Sequence, residues 1–104
     1  MTDCKTLTYR IWIGGNYDDA VRTVREFCQE GACFAVQPAD FVYTGGMESG
    51  VCVTLINYPR FPKEAAELEV FAGRLADLLK ARLFQDSYSI EGPERTVWVT
   101  TRGQ

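Results

Sequence analysis

Five carboxylates of this chain, Asp40, Glu48, Asp86, Glu91 and Glu94, fall in loops or at strand ends, where an acid or base would be needed. A pair of carboxylates doing acid–base work requires one member buried enough to raise its pKa. Nothing in the flanking residues predicts burial, so these side chains are expected to be solvated. Glu48, Glu91 and Glu94 are read as an acidic surface set that meets a basic partner. The chain has no histidine. That removes the commonest general base, the commonest metal ligand and every nucleophile activated by imidazole. Cys4, Cys28, Cys33 and Cys52 match neither a CxxC pair nor a zinc pattern. They are expected to be reduced and buried as small apolar groups. No metal, cofactor or catalytic residue is expected.

The aromatic residues are more informative. In "LTYRIWI", Leu7, Tyr9, Ile11 and Ile13 alternate with Thr8, Arg10 and Trp12, the period of a strand with one buried face. If the aliphatic set faces a core, Arg10 and Trp12 face outward. Tyr43, Tyr58 and Trp98 join them as candidates for an exposed sheet face. "NYPRFP" holds Tyr58, Arg60 and Phe61 in a loop whose prolines restrict the backbone. Tyr and Arg are favoured in interface hot spots. The candidate interface is therefore Arg10, Trp12, Tyr43, Tyr58, Arg60, Phe61 and Trp98.

Two glycine pairs invite a phosphate-loop reading, and both resist it. Gly45-Gly46 in "GGMESG" leads into a strand and lacks the Lys and Ser/Thr of a P-loop. Gly14-Gly15 opens a helix but lacks the third glycine of a dinucleotide fingerprint, and Asp18 and Asp19 repel an anion there. Turn and strand-end geometry is the expected role of both.

These residues sit on a legible series of elements. Asn16 is an N-cap candidate, Val21, Val24, Phe27 and Cys28 form a helical stripe, and Gly31 is a C-cap candidate. Residues 32–44 form an extended stretch whose Pro38 marks an edge strand. "GGMESG" links it to a strand over Val51–Tyr58 as a hairpin. Pro62 suits a first helical position, opening a helix to about Phe84 with Leu68, Phe71, Leu75, Leu78 and Leu79 buried. Ser87–Glu91 and Thr96–Thr101 form either a hairpin or one strand with an arm. The order β-α-β-β-α-β predicts a single ferredoxin-like α+β domain over residues 1–104, with both helices on one face of an antiparallel sheet.

The 104 residues carry a net charge of −3 and a pI near 4.9, which gives no general attraction for nucleic acid or anionic membrane. "VCVTLINY" has no Lys or Arg, which argues against an RNA-recognition sheet. No stretch is apolar for long enough to span a bilayer, and "MTDCKTLTYR" has no signal-peptide core, so a cytoplasmic location is expected.

"YTGGMESGVCVTLINYPRFP", followed by a long helix and the ending "TVWVTTR", resembles small proteins of phage and prophage origin. That resemblance implies a binder of host proteins, of the size and charge of anti-CRISPR and other anti-defence inhibitors. The expected function is a non-catalytic module that occludes a protein partner with its open sheet face. The alternative is a homodimeric α/β-barrel small-molecule binder or enzyme, with Tyr9, Arg10, Asp40 and Tyr43 as polar candidates. A nucleic-acid binder is the third reading.

Overall fold

A computed structural model describes residues 1–30 and 32–101. Five strands and two helices follow the order β1 (Thr8–Gly14), α1 (Tyr17–Phe27), β2 (Ala35–Tyr43), β3 (Gly46–Ile56), α2 (Ala65–Arg82), β4 (Ser87–Glu91) and β5 (Thr96–Thr100). The strands form one sheet in the order β2-β3-β1-β4-β5, with every neighbouring pair antiparallel. This is the expected ferredoxin-like sandwich. The final segment resolves into the hairpin alternative, adding β5 outside β4.

Alternation decides the faces. Tyr9, Ile11 and Ile13 of β1, with Leu7 just before it, are buried in one cluster with Val51, Val53 and Leu55 of β3 and Leu68, Leu75 and Leu79 of α2. Arg10 and Trp12 therefore lie on the opposite face, half-buried, as the period of two requires. The second face of β3 carries Cys52, Thr54 and Ile56.

Both helix starts are capped. Asn16 accepts the Asp19 N–H at 3.0 Å, as expected of an N-cap. α2 starts later than the Pro62 position predicts: Glu64 is its N-cap and forms a reciprocal capping box with Glu67. The carboxylate cap outweighs the proline preference. Gly31 lies outside the described residues.

The β2–β3 hairpin is longer than expected. "GGMESG" is not a link: β3 begins at Gly46, and only Thr44-Gly45 turns, with Gly45 at φ 84°. Met47, Glu48 and Ser49 pair with Val42, Phe41 and Asp40. β1 ends at Gly14 opposite Gly50, so this distal part of the hairpin overhangs the central strand. Pro38 sits on edge strand β2, where a missing N–H costs no ladder bond to another strand. The cysteines differ from expectation too. All four are free, but only Cys52 is buried; Cys33 is exposed and Cys4 and Cys28 are half-buried.

Candidate functional site

The overhang creates a cleft. Where β1 stops, β3 continues on one side and β4 with Gln85 flanks the other. The resulting cavity of about 550 Å³ is lined by Trp12, Gly14, Phe41, Glu48, Gln85, Ser89 and Trp98, among others. It lies on the sheet face that no helix covers.

Its floor is bare because of two glycines paired across β1 and β3, Gly14 and Gly50. A Cβ on Gly50 would collide with the Ile13 carbonyl and the Phe41 ring. The glycine thus lets Phe41 lie flat over the sheet, with its ring edge-on to Trp12 at 6.3 Å between centroids. Trp98 stands across from Ser89 on β5 and is 61% exposed. A large apolar side chain left this open is available to a ligand or a partner.

Charge enters beside the rings. The Trp12 Nε1–H donates to Glu91 Oε1 at 3.0 Å, and Arg10 Nη1 lies 3.8 Å from Glu91 Oε2. Glu91 thereby fixes the Trp12 indole and pairs with Arg10. Among the described residues Glu48 has no ion-pair partner. Beneath Trp12, burial raises the Cys52 thiol pKa, partly offset by the Thr54 hydroxyl and Arg10, so it stays protonated and unreactive.

The sequence candidates divide between this cleft and other places. Arg10, Trp12, Glu48, Glu91 and Trp98 share the open face. Tyr43 lies on the same hairpin, packed over Gly46 at its tip. Tyr58, Arg60 and Phe61 lie at the far end of the sheet, beyond the Thr8–Ile56 pair. There Tyr58 stacks on Phe61 at 5.6 Å, and both line a small pocket against Leu68 and Phe71. Glu94 lies in the β4–β5 turn and lines a separate groove with Tyr9 on the helix side. The proposed polar set of Tyr9, Arg10, Asp40 and Tyr43 does not assemble. Tyr9 faces the helices, donating to the Ala65 carbonyl at 3.2 Å, whereas Arg10 faces away from them. Asp40 instead accepts from Ser49 Oγ at 3.5 Å.

Phe41, Gln85, Gly14 and Gly50 were not singled out as site residues. Alternation could have placed Phe41 on a sheet face. Gln85 had no sequence signal, since its place depends on how α2 ends. Phe84 takes a left-handed φ of 55°, and the Gln85 N–H returns to the Lys80 carbonyl at 3.0 Å. This turn swings Gln85 under the end of β1.

No family model matches the chain, and no curated protein matches it. Two solved structures do, both along nearly the whole chain. One is a phage SAM lyase in the apo state: TM-score 0.75 and 17% identity, covering 94% of this chain and 91% of that one. The other is a phage SAM lyase in complex with S-methyl-5'-thioadenosine: TM-score 0.70 and 15% identity, covering 100% of this chain and 96% of that one. Both neighbours are phage proteins, in line with the resemblance drawn from the sequence. They correct the functional expectation. The fold neighbours are phage SAM lyases, one in complex with S-methyl-5'-thioadenosine, so the reading as a non-catalytic inhibitor of the anti-CRISPR kind is withdrawn.

Proposed function

We propose that the chain is an enzyme that cleaves S-adenosylmethionine, releasing S-methyl-5'-thioadenosine. The observation that carries this reading is the cleft at the end of β1. It combines aromatic faces (Trp12, Phe41, Trp98) with the Glu48 carboxylate, Glu91 holding the Trp12 indole from beside the cleft, on a fold shared with phage SAM lyases. The substrate has a flat adenine and a cationic sulfonium. Aromatic rings bind both, the first by stacking and the second by cation–π attraction. The Glu48 carboxylate adds charge complementarity.

The chemistry needs little from the protein beyond position and field. The bond between sulfur and the γ-carbon of the methionine chain breaks. Both electrons go to sulfur, which leaves as a neutral thioether. The substrate's own carboxylate closes on the vacated carbon, giving a lactone, so no water or redox partner is consumed. This route needs no protein base, which suits a chain without histidine. Trp12, held by Glu91, orients the substrate. The outer side of the cleft is open, and a second copy packed sheet to sheet would close it, in keeping with the homodimer expectation.

The test is direct. Purified protein is incubated with S-adenosylmethionine and the products are followed by mass spectrometry. S-methyl-5'-thioadenosine should appear in stoichiometric amount with a four-carbon lactone. Trp12→Ala and Glu91→Gln should slow its release by about 10- to 1,000-fold while keeping the native circular dichroism. Intact substrate after prolonged incubation with folded wild-type protein would overturn the reading.

A further inference from the structure

Two oxygen atoms border the open space above Gly14. A Cβ built on Gly14 would lie 2.9 Å from Gln85 Oε1 and 3.4 Å from Glu48 Oε2. The Gln85 amide is not free to turn. Its Nε2 donates to the Leu83 carbonyl at 3.1 Å, and a flipped amide would set oxygen against oxygen. Its Oε1 is thus aimed at the cleft. Carboxylate and amide oxygens are acceptors only, and Glu48 is exposed and Gln85 half-buried, so both oxygens are open to a ligand in the cleft. Gly14 is what leaves the space between them open: any larger residue would fill it.

We infer that Gln85 Oε1 and Glu48 Oε2 form a receiver for a donor-only nitrogen of the ligand, seated over Gly14, and that this pair sets the enzyme's selectivity. Two acceptors bordering one space favour a group with at least two N–H bonds and disfavour a carbonyl or ether oxygen. The inference rests on the cleft being the substrate site. S-adenosylmethionine offers two such nitrogens, the adenine amino group and the α-ammonium. The chemistry of the receiver is common to both, and two ligands separate them.

Binding of S-methyl-5'-thioadenosine, which carries the adenine amino group alone, and of S-adenosylhomocysteine, which carries both, is measured by calorimetry. The proteins are wild type, Gln85→Leu and Glu48→Gln, each checked for native melting behaviour. Each substitution should weaken binding about five- to tenfold. An equal loss for both ligands assigns the receiver to the adenine amino group. A loss with S-adenosylhomocysteine alone assigns it to the α-ammonium. Unchanged affinity in both folded variants, with wild type binding, overturns the receiver and leaves the proposed activity standing. If wild type binds neither ligand, the receiver falls, and the cleavage assay alone decides the activity.

Discussion

Phe84 shows how a single residue can carry strain next to a site. It is 93% exposed, an unusual place for a phenyl ring, and it holds a left-handed φ of 55° that L-residues with a Cβ adopt at a cost. Glycine is the ordinary residue at this position after a helix. The conformation nevertheless aims Gln85 at the cleft. Phe84→Gly should therefore raise stability by about 1 kcal/mol, read as a higher urea midpoint at unchanged slope. Because the backbone path survives, ligand binding should be retained. A loss of stability would show that the ring makes a contact worth more than the strain. At this scale the sequence disclosed Arg10 and Trp12 by alternation, since burial of their neighbours leaves them only one face. It disclosed nothing of Gln85, whose role depends on a φ value and a helix end.

Among the elements, the β2–β3 hairpin decides the most. Its overhang past Gly14 makes the cleft, and Gly50 lets Phe41 lie across it. A Cβ at position 50 would strike backbone as well as ring, so it cannot be absorbed by a side-chain shift. Gly50→Ala should cost about 1–3 kcal/mol and also abolish ligand binding under conditions where the variant remains folded, measured by thermal melts with and without S-methyl-5'-thioadenosine. Normal ligand stabilisation in that variant would place the site elsewhere. The hairpin itself was predicted, but its length was not. Glycines and polar residues in "GGMESG" suggested a loop, and cross-strand pairing with Phe41 and Val42 overrode that local propensity. In α2 the buried stripe of Leu68, Leu75 and Leu79 was legible from its 3.6-residue period, while its start was displaced by the Glu64 capping box.

For the whole molecule, three tyrosines tie stability to alkaline pH. Burial and the Asp77 carboxylate, which accepts the Tyr88 O–H at 2.6 Å, push the Tyr88 pKa well above its ordinary value. Tyr58 is pushed up to about 12 by its hydrogen bond with Cys33 and by burial. Tyr9 is raised by burial and by Glu69 and Glu94. In each case the folded state holds the phenolic proton more tightly than the unfolded chain does. The stabilisation is complete below the ordinary tyrosine pKa of 10.0 and is lost as pH climbs through the folded values. Chemical denaturation midpoints should be flat from neutrality to about pH 9 and fall steadily above pH 10. Tyr88→Phe should flatten part of that fall. A midpoint still constant at pH 11, above the ordinary pKa, would contradict the tyrosine linkage.

The sequence alone determined the order of elements up to the second helix, the buried stripe of α2, the inward face of β1 and hence the sandwich, because periodicity and turn chemistry are local properties. It also determined that imidazole chemistry is absent. Only the tertiary structure decided which candidates meet. Arg10, Trp12, Glu48, Glu91 and Trp98 come from four strands whose register is fixed by long-range pairing, whereas Tyr58, Arg60 and Phe61 are carried to the other end of the sheet. The cleft is a difference in length between two neighbouring strands, and such a difference exists only once they are paired.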